Sequence, residues 1–268
     1  MNRQVDFGFY LGDGQEEVLL PNKYVPEGLQ LEDTLEVFVY KDSEDRPVAT
    51  TLKPKGAVGD IAALVVKDET PHGSYLDWGL EKDLFVPRRE QHVRFDVGET
   101  YVVRILLDHK TNRVIGTSKL QAFLKRDVEG LAEGDKVNLL IYERSPLGWK
   151  ALINNTYAGL IYQSEAPDFL KIGHTQQGYI RHVREDGKID LRLSAEGRQG
   201  TDEGREVLLE KLKENAGFLA VHDKSDPQQI FELTGMSKKL FKKSLGGLYR
   251  ERLVQITPEG IKLVDQGS

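Results

Sequence analysis

Residues 73–87 read GSYLDWGLEKDLFVP, and residues 8–21 read GFYLGDGQEEVLLP. Each has Gly-x-Tyr-Leu, then an apolar pair, then a proline at nearly the same distance. Each is followed by a valine-rich run, a polar turn and a short closing run: LEVFVYKDSEDRPVATT (35–51) in one, TYVVRILLDHKTNRVIGTS (100–118) in the other. A third, more diverged copy reads LGWKALINNTYAGLIY (147–162) and then GYIRHVREDGKIDLRLS (178–194). Its Gly148 stands as far before Leu160 as Gly73 stands before Phe85. A fixed internal period means one supersecondary unit used several times.

Within each copy the apolar runs are short, often alternating, and bounded by Gly, Asn, Asp and Pro, which predicts strands and hairpins rather than helices. About five short strands in 60–70 residues suit a small five-stranded barrel of the OB type. Copies two and three have an apolar run before the glycine (61–66 and 137–142). The equivalent strand of copy one would start before Met1, so copy one is expected to be an incomplete barrel with an unpaired edge.

After Ser194 the pattern changes. Residues 195–204, AEGRQGTDEG, are polar, glycine-rich and aperiodic, and read as a linker. From Glu206 the period is helical: Val207, Leu208 and Leu212 share one face. A second helix starts at Asp226 as N-cap with Pro227 next and stops at Gly235. Ser237 caps a third, whose Phe241, Leu245 and Leu248 fall on one stripe. LVQI and IKLV around TPEG give a terminal hairpin. The expected fold is therefore mostly β with a C-terminal α/β part: three tandem OB-fold barrels, the first incomplete, then a winged-helix domain. The expected domains are 1–52, 57–120, 131–194 and 203–265.

With 268 residues, 39% hydrophobic and 30% charged, the chain can bury several small cores. It has no cysteine, which removes disulfides, thiolate metal sites and cysteine nucleophiles and fits a reducing, cytoplasmic setting. No run is long and apolar enough for a membrane span. The net charge is -6, but the acid is local: residues 1–52 hold four basic residues against eleven acids, while the later segments are near neutral. Only the first segment is disfavoured as a polyanion surface. Against that background, SKKLFKKSLGGLYRERL (237–253) is densely basic. Lys238, Lys239, Lys242 and Lys243 lie on the third helix, the one a helix-turn-helix places against nucleic acid. A solvated face is the plainer reading.

The third copy, with GW, AGLIYQS and REDGKIDLRLS, resembles the S1-type RNA-binding domain. The whole chain, with YLDWGLEKDLFVP, DKSDP and the SKKLFKK block, resembles the bacterial virulence factor B family. That resemblance implies RNA binding and a post-transcriptional influence on gene expression, and no catalysis. S1-type domains present an aromatic two residues after the strand-two glycine, which Tyr10 and Tyr75 match, whereas copy three has Lys150 there with Trp149 beside it. In strand three Tyr162 matches, and copy two has Val86 at that point.

Aromatic side chains stack on any base, and nearby cations follow the phosphates. The expected RNA-binding residues are Tyr75, Arg88, Arg89 and Arg104 in copy two; Trp149, Lys150, Tyr162, Arg181, Arg184 and Lys188, with Arg192, in copy three; and the four lysines of the third helix. Tyr75 and Trp78 are equally readable as core. Trp149 and Tyr162 read more readily as platform, because cations surround them. The six histidines have no metal-ligand spacing, GDG and SLGGLY lack the phosphate-loop context, and no nucleophile motif is present, so neither cofactor, metal nor enzyme activity is expected. The expected partner is single-stranded RNA, with the chain a monomer. A protein-interaction scaffold docking through the acidic first domain is the alternative, and a DNA-binding regulator acting through the winged helix is a weaker one.

Overall fold

The computed structural model describes residues 3–12, 16–42, 44–167, 170–193 and 197–264. The chain divides into two compact units, residues 1–122 and residues 123–268.

The first unit opens with β1 (Arg3–Val5), β2 (Gly8–Gly12), β3 (Glu17–Pro21), β4 (Phe38–Lys41) and β5 (Pro47–Thr50), in the sheet order β1-β2-β3-β5-β4. The expectation that the first strand of copy one is missing is corrected: a strand is there, three residues long. It pairs Arg3, Gln4 and Val5 with Tyr10, Phe9 and Gly8, but does not reach β4, and the sheet stays open. Phe9, Leu11, Leu20, Tyr24 and Ala49 form its small core.

The second copy is a closed barrel of β6 (Ile61–Thr70), β7 (Gly73–Leu76), β8 (Leu84–Pro87), β9 (Thr100–Asp108) and β10 (Arg113–Thr117), ordered β10-β8-β7-β6-β9. Strand alternation sends Leu64, Val66, Leu76, Leu84, Val86, Val103 and Ile105 inward. Each such burial contributes roughly 1.5–3 kcal/mol. Trp78 belongs to this core, its indole N–H donating to the Gly56 carbonyl at 2.7 Å. Tyr40 and Val48 of the open sheet join the same apolar cluster, and Phe38 meets Trp78 edge-on at 5.8 Å. Lys82 donates to the carbonyls of Lys41 (3.0 Å) and Asp42 (2.7 Å) across this contact. Burial there lowers its pKa.

The second unit begins with another closed barrel: β11 (Lys136–Ser145), β12 (Gly148–Ile153), β13 (Tyr157–Tyr162), β14 (Thr175–Val183) and β15 (Ile189–Arg192). Then come α1 (Gly197–Glu214), β16 (Phe218–Leu219), α2 (Pro227–Thr234), α3 (Lys238–Arg250), β17 (Val254–Thr257) and β18 (Gly260–Leu263). The last three strands make one sheet ordered β16-β18-β17, so the terminal hairpin gains a third strand.

The caps are those the sequence predicts. Asp226 accepts from the Gln228 N–H, Ser237 accepts from the Leu240 N–H, and Gly235 ends α2 with φ 71°. The linker expectation is corrected. Residues 197–204 belong to α1, while residues 194–196 lie outside the described residues. One of the three glycines that made this stretch look like linker is a packing device. A Cβ on Gly204 would lie 2.4 Å from Ser244 Oγ and 3.1 Å from Leu240 Cδ1, so only glycine lets α1 approach α3 this closely.

Candidate nucleic-acid interface

Strands two and three of an OB barrel form its oligonucleotide face. In the second copy these are β7 and β8, paired Gly73↔Pro87, Ser74↔Val86 and Tyr75↔Phe85. Ser74 and Val86 point inward and are buried; Tyr75 and Phe85 point outward. Tyr75 is 38% exposed. Its ring lies 5.0 Å from that of Phe85 at a 40° tilt. A Cβ on Gly73 would meet the Phe85 ring at 2.8 Å, so the ring packs closely over the bare backbone of this glycine. The pair is a two-ring apolar platform on a rigid ladder. Phe85 was missed because its own triplet LFV reads as a plain buried strand.

The register also corrects the alignment of copies two and three. Gly148 pairs with Tyr162 as Gly73 pairs with Pro87, so the counterpart of Tyr162 is Pro87 and not the buried Val86.

Cations lie beside this platform. Arg88 pairs with Glu69 at 2.5 Å, and Arg94 reaches the same carboxylate oxygen at 2.9 Å. The two guanidiniums, Arg88 foremost, hold Glu69 below the usual carboxylate range. An open cleft lined by Glu69, Arg88, Gln91, His92 and Arg94 results. Arg89 is the looser cation, 66% exposed and 3.8 Å from both Glu90 and Asp108. Arg104 is not brought to this site: it lies on β9, which pairs with β6 and β10 and with neither β7 nor β8.

In the third copy the platform expectation for Trp149 is corrected. Its ring is 7% exposed and packed with Ile141, Ile153 and Ile161, because alternation along β12 turns it inward and Lys150 outward. Arg144 covers the ring at 5.4 Å. Tyr162 is half-buried at the end of β13. Its hydroxyl accepts from Arg184 and donates to Asp190 (3.3 Å), and Arg184 also binds Asp190 at 2.9 Å. The Asp190 carboxylate raises the Arg184 pKa further. Three further candidate cations of this copy are each engaged by an acid: Lys150 by Glu143 (2.6 Å), Arg181 by Glu165, and Lys188 by Asp186 (2.6 Å). Exposed pairs of this kind are worth about 0–1 kcal/mol, so a phosphate can exchange for the acid. Arg192 lies against the Tyr179 ring at 5.9 Å.

Among the described residues, the winged helix holds cations with no such ion pair. Phe241, Ser244, Leu245 and Leu248 turn α3 inward. At 100° per residue, Lys239, Lys242, Lys243, Gly246, Tyr249 and Arg250 then share one arc of about 120°. Lys239, Lys242 and Lys243 are exposed and make no ion pair among the described residues. Lys238 is different, since it donates to the Ser225 carbonyl at 2.7 Å. Tyr249, 56% exposed, supplies an aromatic on the same arc, and a Cβ on Gly246 would touch nothing within 4 Å. A long anionic chain can lie on that open strip.

The comparisons agree with this layout. The S1 domain family matches residues 1–52, and the CvfB-like winged helix domain family matches residues 206–263. Both are nucleic-acid-binding domain classes rather than enzymatic ones. Among curated relatives, the uncharacterized protein YitL of Bacillus subtilis is 27% identical over 93% of this chain and 86% of its own length. Conserved virulence factor B of Staphylococcus epidermidis is 25% identical over 96% and 89%. A solved multidomain protein with nucleic acid binding domains from Streptococcus pneumoniae aligns over 98% of this chain and 95% of its own, at 21% identity and a TM-score of 0.42. Two segments of the chain thus match domain classes that bind nucleic acid, an S1 domain at the start and a winged helix at the end. Its likeness to the conserved virulence factor B proteins extends along nearly its whole length. No helix among the described residues is long and apolar enough to cross a membrane.

Proposed function

We propose that this chain is a cytoplasmic RNA-binding protein that regulates gene expression after transcription, holding single-stranded RNA by stacking and by phosphate contacts. The observation that carries the reading is the outward Tyr75–Phe85 pair on strands two and three of a closed S1-like barrel, flanked by Arg88, Arg89 and Arg94. Every base has a π-face, so such a platform is tolerant of sequence and prefers unpaired bases. The four segments 1–52, 57–120, 131–194 and 203–265 act as its domains, and the Lys239, Lys242 and Lys243 strip of α3 adds phosphate contacts. In the third copy the Tyr162–Arg184–Asp190 network offers one ring and a displaceable cation.

The test is anisotropy of labelled single-stranded RNA against the full chain, with Tyr75→Ala and Phe85→Ala as variants. Each is expected to weaken binding while leaving the melting profile nearly unchanged. Unaltered affinity in both would refute the stacking reading.

A further inference from the structure

Beside the ring platform of the second barrel, one carboxylate is fixed through a single oxygen. Glu69 Oε1 accepts from Arg88 Nη2 at 2.5 Å and from Arg94 Nε at 3.0 Å, and Arg94 Nη2 lies 2.9 Å away. Glu69 Oε2 takes no hydrogen bond among the described residues. The guanidinium that does the fixing is itself tied into the barrel wall. Arg88 also donates to Gln91 Oε1 (3.1 Å) and to the Thr70 carbonyl (3.1 Å). Gln91, only 8% exposed, donates in turn to Ser74 Oγ (3.0 Å) and to the Val86 carbonyl (3.1 Å). Glu69 is thus an acceptor set in place before any ligand arrives. Its side chain is still 20% exposed and lines the open cleft, with Pro71 and Val93 as apolar walls.

What suits the cleft follows from donors and acceptors. An ionised carboxylate oxygen only accepts, and the two guanidiniums keep Glu69 ionised. A phosphate, itself an acceptor, would meet that negative charge at close range, so a phosphate is disfavoured beside Oε2. A base edge that carries N–H groups is favoured. Guanine alone of the four RNA bases has N–H groups on two adjacent edge nitrogens, N1 and N2, which suit the two lone pairs of one carboxylate oxygen. Its O6, on the other side of N1, is an acceptor for the further N–H groups of Arg94, whose side chain is 74% exposed. Adenine, cytosine and uracil each turn only one such nitrogen toward the carboxylate.

The cleft adjoins the platform along the chain. Gly73, over which the Phe85 ring packs, pairs with Thr70 on one side and Pro87 on the other, and the Arg88 N–H donates to the His72 carbonyl at 2.8 Å. Phe85 and Arg88 are three residues apart, about 10 Å of extended chain, which neighbouring nucleotides of one strand can span. Resting on the stacking of unpaired RNA on Tyr75 and Phe85, we propose that Glu69 is a specificity-determining residue that reads guanine. It accepts from the N1–H and N2–H of a guanine lodged in the cleft beside the stacked bases. The rings read no sequence, and Glu69 gives them a preferred neighbour.

The test is anisotropy, at one salt concentration and with the full chain, of a labelled all-uridine RNA and of the same RNA with one central guanine, adenine, cytosine or inosine. The guanine RNA should bind about tenfold more tightly than the uridine, adenine and cytosine RNAs. Inosine, which lacks the N2 amino group, should lose most of that gain. Glu69→Gln, at neutral pH and with its fold checked by melting, should shrink the spread among the RNAs to less than about twofold. Equal binding of the guanine and inosine RNAs, a gain from adenine or cytosine as large as that from guanine, or a guanine preference that persists in Glu69→Gln would each overturn the proposal. Should that variant fail to fold, the inosine comparison on the wild type decides. Failure of the platform reads differently: Tyr75→Ala and Phe85→Ala would then leave all-uridine binding unaltered, and this proposal would fall with it. If those variants weaken all-uridine binding and no guanine preference is seen, the platform stands and only the reading by Glu69 is refuted.

Discussion

Replacing Lys239, Lys242 and Lys243 together by glutamine should change how RNA binding responds to salt far more than it changes stability. None of the three makes an ion pair among the described residues, and glutamine has nearly the helix propensity of lysine, so the fold should lose less than about 0.5 kcal/mol. Lys238 is left alone because its contact with the Ser225 carbonyl is structural. Each lysine that neutralises a phosphate of a single strand contributes about 0.7 to the slope of log affinity against log salt. Three of them contribute about 2. Between 50 and 200 mM salt the wild type should therefore lose roughly 20-fold more affinity than the variant. The assay is a salt series of anisotropy titrations with one labelled RNA on both proteins. An unchanged slope with weakened binding would mean that α3 meets no phosphate, and an unchanged slope and affinity would make the lysines a solvated face.

Tyr75→Ala should weaken RNA binding by about 1–3 kcal/mol, and a double-mutant cycle with Phe85→Ala, read by anisotropy, should show the two rings to be coupled. Trp149→Ala should destabilise its barrel by about 3–5 kcal/mol in a denaturant titration, whereas Trp149→Phe, once folded, should bind RNA as the wild type does. Gly204→Ala should cost the α1–α3 contact about 1–3 kcal/mol, seen as a lower melting temperature. Because Arg88 and Arg94 hold the folded-state pKa of Glu69 below its unfolded value, its contribution is present above about pH 4.3 and lost as pH falls through the folded pKa; Glu69→Gln should flatten that part of the stability profile.

Much of the fold is legible because it rests on local chemistry. The Gly-x-Tyr-Leu repeat, the Asp226-Pro227 start, the Gly235 stop and the Ser237 cap are each fixed by a few adjacent residues, and each forms as read. What was not legible depends on register or on a distant partner. Trp149 looked like a platform because cations surround it in sequence, but one step of alternation decides its face, and that step turns it into the core. Phe85 became part of the platform only when pairing set it opposite Tyr75. Gly204 read as linker because its reason, Ser244 of another helix, lies 40 residues away. The ion pairs that engage Lys150, Arg181 and Lys188 are likewise three-dimensional facts, and they set these cations apart from Lys239, Lys242 and Lys243, which make no ion pair among the described residues.

The central claim is that unpaired RNA stacks on the outward rings of the second barrel. Ultraviolet crosslinking of a labelled single-stranded RNA to the full chain, with the adducts mapped by peptide mass spectrometry, tests it most directly. The account predicts adducts within residues 73–87, centred on Tyr75 and Phe85, that an excess of unlabelled single-stranded RNA removes and duplex DNA does not. Adducts confined to other segments, or equal competition by duplex DNA, would contradict it.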